Sequence, residues 1–292
     1  MSEERHGVPL VASNAPQGFQ PVVAEPRPIV GLALGSGGAK GLAHIGVLKA
    51  LVEHEVPIHV VAGSSMGSLV GAFYATGMRP DFMERLATTL HWRHWVDLTV
   101  PRVGLIAGRK IHQLVWTLTR GLDVNESPIP LAIVATELTM RKVITFDSGP
   151  IADAVRASIS IPGVFVPYVT NSGVYVDGGV VERVPVQAAR TLGADFVIGV
   201  DVAGLGRSPL PETMLDVVMQ SLEIMQEHSN SITVTPDVLI QPDLSKIGAS
   251  HFQKARDAIA IGYDATLAVM PSILRLLQDT ERLHPRATEE QY

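Results

Sequence analysis

Apolar residues along this chain follow two rhythms. Short unbroken runs at 28–34, 59–62, 131–136, 143–146, 174–176, 196–200 and 238–240 have the length and β-branched content of buried strands. After the first run, Leu42, Ile45, Leu48, Leu51 and Val52 recur at helical spacing, and 66–76, 150–158, 186–191, 212–228 and 252–277 read as further helices. A strand that is apolar along its whole length needs cover on both faces, and helices that alternate with strands supply it as crossovers. The expected fold is therefore α/β, a layered α/β/α sandwich with a mostly parallel central sheet in a single domain. That domain is expected over residues 28–280. Residues 1–27, with Pro16, Pro21, Pro26 and aperiodic charges, read as a flexible N-terminal arm, and 281–292 as a C-terminal tail.

Residues 56–78 contain no Lys, Arg, Asp or Glu, and by length alone they would span a bilayer. Pro57, His59, Ser64, Ser65, Ser68 and Thr76, with glycines at 63, 67, 71 and 77, make the stretch too polar and too broken, so a buried strand, a turn and a helix are expected instead. Of the 292 residues, 46% are hydrophobic and 18% charged, which excludes wholesale disorder. A net charge of −6 argues against a nucleic-acid partner, and none is expected. The absence of cysteine removes disulfides, zinc thiolates, iron–sulfur clusters and thiol nucleophiles. The N-terminus lacks a basic segment followed by an apolar one, so it does not read as a secretory signal, and the expected address is cytoplasmic.

Three motifs carry candidate chemistry. Gly63-Ser64-Ser65-Met66-Gly67 fits G-x-S-x-G directly after an apolar strand and before a helix. A sharp strand-to-helix turn needs small residues two before and two after its centre, and it would expose the Ser65 hydroxyl at a helix N-terminus, where developing negative charge is favoured. A plain glycine-serine turn is the competing reading, and Ser64, unframed by glycines, is the weaker candidate. Gly35-Ser36-Gly37-Gly38-Ala39-Lys40-Gly41 is a second strand-to-helix loop. It is not a P-loop, because Gly41 follows Lys40 where Ser or Thr is needed, and it is not a dinucleotide fingerprint, because Lys40 stands where the third glycine belongs. An oxyanion hole built from the Gly37 and Gly38 amides remains, against a packing or phosphate loop. Asp177-Gly178-Gly179 puts a carboxylate at a strand end with room for another backbone, although a turn explains it equally well.

In this order and spacing the three motifs resemble those of the patatin-like phospholipase family, in particular its compact bacterial branch. The family's G-G-x-[RK]-G loop reads here as Gly37-Gly38-Ala39-Lys40-Gly41, its serine elbow as Gly63 to Gly67, and its D-G-[GA] motif as Asp177-Gly178-Gly179. Ala157-Ser158-Ile159-Ser160-Ile161-Pro162 with Phe165 and Pro167, and Val143-Ile144-Thr145-Phe146 before Asp147-Ser148-Gly149, extend the likeness to roughly residues 29–277. Gly35 and Ser36 stand where plant members have Asp and Gly, and Lys40 where Arg is commoner. The resemblance implies a serine hydrolase acting on lipid acyl esters through an acyl-enzyme. In that mechanism Ser65 is the nucleophile, Asp177 its base without a histidine, and Gly37 and Gly38 hold the oxyanion, while Ala39, Lys40, Gly41, Gly63, Gly67, Gly178 and Gly179 support the loop and elbow. No metal and no cofactor are implied. The expected partner is a lipid acyl ester, with peripheral contact at the inner face of the membrane.

Other groups are weighed against this. His91 and His94 form an H-x-x-H pair with no third ligand nearby. Trp92, Trp95 and Trp116, with Arg93, Arg102, Arg109 and Lys110, suit either a lipid-facing lid or a packed helical insertion. Asp201 reads as a structural carboxylate, and His228 and His251 as helix-surface residues. The competing functions are an α/β-hydrolase that uses one of those two histidines, an acyltransferase of related fold, and a non-catalytic, membrane-associated regulatory module.

Overall fold

The computed structural model describes residues 28–89, 96–100, 103–203, 208–227 and 234–283. The N-terminal arm at 1–27, His91, Trp92, Arg93, His94, Trp95, Arg102, His228 and residues 284–292 lie outside these.

The chain forms one eight-stranded mixed sheet. Its body is the parallel order β3-β2-β1-β7-β8, from β1 (Val30–Leu34), β2 (Val60–Ser64), β3 (Leu131–Glu137), β7 (Phe196–Val200) and β8 (Val238–Ile240). β4 (Lys142–Phe146) and β6 (Gly173–Asp177) pair antiparallel with β3, and β5 (Tyr168–Thr170) pairs antiparallel with β6. The helices are α1 (Ala43–Glu53), α2 (Met66–Ala75), α3 (Pro80–Thr89), α4 (Arg109–Leu118), α5 (Ile151–Ser158), α6 (Val186–Thr191), α7 (Met214–Glu227) and α8 (Ala255–Leu283). The 56–78 stretch divides into β2 and α2, as its glycines and serines require. β5, α3 and α4 are elements that the apolar runs did not mark.

The period-two alternation of the strands sorts their side chains between two cores. Val30, Leu32, Leu34, Val61, Ile133, Ile198 and Ile240 face α1, α2, α5 and α8. Ala33, Val60, Ala62, Ala132, Val134 and Val197 face α6. Small side chains dominate the second set, which lets one short helix lie close to the sheet. On the first face each fully buried leucine contributes about 1.5–3 kcal/mol. α8 packs along α1. With the preceding turn, Phe252–Arg282 is long and apolar enough to cross a membrane by length and composition, at a mean hydropathy of 1.3.

One detail of the register positions the site. β4 occupies one edge of β3 over Ile133 to Glu137, so β2 and β6 share the other edge. Ser64 of β2 lies opposite Val134, and Asp177 of β6 lies opposite Ala135. Two strands running toward each other therefore end at neighbouring positions.

Candidate active site

Ser65, the residue after β2, turns the chain into α2 with φ 53° and ψ −121°. Positive φ at a residue with a side chain is strained, at roughly 1–3 kcal/mol. The turn closes because of the glycines around it. A Cβ on Gly63 would lie 2.5 Å from the Gly67 carbonyl oxygen, and one on Gly67 would run into the Leu34 carbonyl. The Ser65 hydroxyl donates to Asp177 Oδ2 at 2.5 Å, and the Gly179 amide donates to Asp177 Oδ1 at 2.8 Å. Ser65 and Asp177 are each 2% exposed. Burial pushes the Asp177 carboxyl up to about 7, against the downward pull of its two hydrogen bonds. A carboxylate with that affinity for a proton, on a serine hydroxyl, has the geometry and the basicity of a general base.

The C-terminal end of α5 holds both residues. The Ser65 amide donates to Ser158 Oγ at 2.8 Å, and the Ser158 hydroxyl donates to the Val134 carbonyl at 2.6 Å. The Asp177 amide donates to the Ser160 carbonyl at 2.9 Å. Arg156 donates to Ser160 Oγ at 2.6 Å and to the carbonyls of Ala107 at 2.8 Å and Val166 at 2.7 Å. Burial lowers the Arg156 guanidinium to about 10, which leaves it cationic at neutral pH. No motif marks Arg156. Ser158 belongs to a family-like stretch, but its partner Ser65 is 93 residues away, so no local pattern discloses the contact.

In the glycine loop, the amides of Gly35, Ser36, Ala39 and Lys40 donate to the carbonyls of Val200, Arg183, Ala249 and Gly37. Among the described residues, the amides of Gly37 and Gly38 have no acceptor within the protein. Gly38 has φ 56°, and a Cβ there would lie 2.7 Å from the Ala249 carbonyl oxygen, so only glycine fits. Lys40 turns away into the protein, where its ammonium donates to the Ala203 carbonyl at 2.9 Å and pairs with Glu223 at 3.0 Å, tying the loop to α7. Gly41 packs under Met66, Gly178 against Val134 and Ser64, and Gly179 against Ser36. His44 is fully buried with Nε2 2.8 Å from the Gly35 carbonyl, so that nitrogen carries the proton and donates. Burial lowers its pKa to about 4 and keeps the ring neutral.

Ser65 and Gly38 border one cavity of about 530 Å³. Met66, Leu69, Ile111, Ile161 and Phe165 make most of it apolar, while Glu212, Thr213, Ser250, His251 and Gln253 form a polar side. His251 is thus not a helix-surface residue. It precedes the turn into α8, is 9% exposed, and accepts the Gly248 amide on Nδ1 at 3.0 Å. Its Nε2 is 3.7 Å from Glu212. Ser64 is buried and donates to the Glu182 carbonyl, and Asp201 is paired with Arg183 at 2.7 Å. In the region flagged for tryptophans and basic residues, Trp116, Arg109 and Lys110 belong to α4, whose first turn is capped by Asp97. Among the described residues, no group of three or more His, Asp or Glu could hold a metal ion.

The patatin-like phospholipase family model matches residues 32–190. An uncharacterised NTE family protein of Mycobacterium tuberculosis is 36% identical over 208 residues, covering 70% of this chain and 58% of that protein. Lysophospholipase NTE1 of Pyricularia oryzae is 31% identical over 292 aligned residues, covering 86% of this chain and 19% of that protein. The chain thus spans little more than half the length of the first relative and a fifth of the second. The crystal structure of VipD from Legionella pneumophila superposes with a TM-score of 0.51 at 16% identity, over 85% of this chain and 67% of that one, a likeness of fold. The glycine loop, the serine elbow and the Asp177 turn all fall inside the matched segment, which is more than half of the sequence, and this chain belongs to the patatin-like phospholipase family.

Proposed function

We propose that the protein is a lipid acyl hydrolase that cleaves carboxylic esters with Ser65 as nucleophile and Asp177 as its base. The observation that carries this reading is the 2.5 Å hydrogen bond from Ser65 Oγ to Asp177 Oδ2 in the wall of an apolar cavity. Asp177 takes the hydroxyl proton as Ser65 Oγ bonds to the ester carbonyl carbon. The negative charge on the carbonyl oxygen is met by the unpaired Gly37 and Gly38 amides and the N-terminus of α2. When the carbon–oxygen bond to the alcohol breaks, Asp177 returns the proton to the leaving oxygen. A water molecule then gives its proton to Asp177 and attacks the acyl-enzyme, and the fatty acid leaves as Ser65 regains its hydrogen.

A histidine base is the weaker reading. His251 reaches the same cavity, but its Nδ1 is engaged by Gly248 and the Ser65 proton points to Asp177. Peripheral membrane contact goes with the proposal. The segment that supplies Val96, Leu105 and Ile106 to the cavity also exposes Leu98, Val100 and Val103, and the segment supplying Met214 exposes Leu210. The test is fatty-acid release from a palmitoyl lysophospholipid and from p-nitrophenyl butyrate. Release by the wild type that is abolished in folded Ser65→Ala supports the reading, and equal release by the variant refutes it.

A further inference from the structure

The cavity that contains Ser65 shares part of its wall at α2 with another. A second cavity of about 50 Å³ lies between α1, α2 and α3, and its walls include Ile45, Phe73, Met83, Leu86 and Ala87. The two cavities share Met66, Leu69 and Phe252 as lining. Every described residue around the inner one is apolar. A water molecule needs only about 10–15 Å³ of such space but also two or more polar partners, and apolar voids stay dry and take up hydrocarbon. Met66 and Met83 can adjust their unbranched side chains to a flexible guest.

The larger cavity is divided chemically. Its polar side, with Glu212, Thr213, Ser250 and Gln253, comes from the start of α7 and the residues before α8, whereas the second cavity is walled in part by Met66, the residue next to Ser65. We infer that the inner cavity is a binding site for the distal alkyl end of the acyl chain, with Met66, Leu69 and Phe252 as its passage and Leu86 and Ala87 of α3 as its end wall. The leaving alcohol then takes the polar side. This rests on the hydrolase reading of Ser65 and deepens it, because it makes α3 the element that sets the preferred chain length. A chain that reaches past Phe252 gains the burial of each further methylene, worth about 0.8 kcal/mol, until it meets the end wall.

The experiment measures kcat/KM for p-nitrophenyl esters of four, eight, twelve and sixteen carbons. Ala87→Phe and Leu86→Trp fill the inner cavity, and the ratio of sixteen- to four-carbon kcat/KM is expected to fall at least tenfold, the loss residing in KM. Phe252→Leu widens the passage and is expected to raise that ratio. Should the α3 variants fail to fold, Phe252→Leu decides alone, through the ester ratio and through palmitate displacement, both of which it is expected to shift toward the longer chain. In that assay, palmitate and octanoate displace the fluorescent fatty acid cis-parinarate from Ser65→Ala protein, and filling the cavity is expected to weaken palmitate at least tenfold more than octanoate. Chain-length ratios and fatty-acid displacement that stay at parental values in the folded variants overturn the inference. If no ester is cleaved but palmitate binding responds as expected, the site stands and the hydrolase reading falls.

Discussion

Ser64 and Asp177 close two strands on one edge of β3, Ser64 opposite Val134 and Asp177 opposite Ala135. The residue after Ser64 is the elbow serine, so the carboxylate reaches it from a strand that ends against the end of β2. A parallel strand in that place would have ended opposite Glu137, away from β2; the antiparallel direction of β6 brings the two ends together. The Ser65–Asp177 pair is thus fixed by sheet register, and the contacts from the end of α5 set its finer geometry.

Ser158→Ala removes the acceptor for the Ser65 amide and the donor to Val134, leaving buried groups unpaired at roughly 1–3 kcal/mol. The expected outcome is a fall in kcat of about 10- to 100-fold, by loosened positioning of the nucleophile. The pH midpoint of kcat/KM should stay in place because the base is untouched, and Ser158→Thr should recover part of the loss. A shifted midpoint would mean that Ser158 acts on Asp177 itself.

The raised Asp177 carboxyl sets a pH dependence of activity. As the proposed base, Asp177 works only when unprotonated, so kcat/KM should rise with pH through a midpoint near 7. A profile flat from pH 5 to 9 would remove Asp177 from the role.

The same group sets a pH dependence of stability. Its folded pKa of about 7 lies above the ordinary aspartate value of 3.8, so between those values the native state holds a proton that the unfolded chain has lost. Stability from this group is therefore present at low pH and lost as pH rises through about 7. Asp177→Asn should gain on the wild type as pH rises from 4 to 8, with a clearly larger gap in melting temperature at pH 8 than at pH 5. An equal gap at both pH values would contradict the buried charge.

Strain at Ser65 predicts an order among inactive variants. With φ at 53°, Ser65→Gly relieves the backbone and Ser65→Ala does not, so the glycine variant should be the more stable by about 1 kcal/mol in urea titrations. The reverse order would mean that the elbow relaxes without its hydroxyl.

Val100 is 75% exposed and Leu210 88% exposed, on the two segments beside the cavity. Val100→Asp and Leu210→Asp should weaken co-sedimentation with lipid vesicles several-fold, and should reduce turnover of vesicle lipid more than turnover of a soluble ester. Unchanged sedimentation would place membrane contact elsewhere.

The layered sheet was legible because its five parallel strands are apolar end to end, and the elbow because Gly63 and Gly67 frame Ser65. β5 escaped because Tyr168-Val169-Thr170 is three residues long, lies at the sheet edge and is half open to solvent. α3 carried usable signals in Pro80 at its first position, Asp81 in its first turn and Met83, Leu86 and Ala87 at helical spacing, but few of its side chains are buried and no unbroken apolar run marks it. The site's chemical residues sit in short glycine-framed patterns. Its supports do not: Ser158, Ser160 and Arg156 act through contacts between distant segments, and Lys40, inside a motif, faces Glu223 and not the cavity. His251 read as a surface residue because nothing around it in sequence announces the cavity that it lines.

Labelling with a fluorophosphonate, followed by peptide mapping of the adduct, tests the nucleophilic role of Ser65. One adduct is expected, on the Ser65 peptide, absent in Ser65→Ala, slowed by orders of magnitude in Asp177→Asn, and formed within about tenfold of the wild-type rate in His251→Gln. An adduct on another residue, full labelling of folded Ser65→Ala, or a loss at His251 as deep as that at Asp177 would contradict this reading.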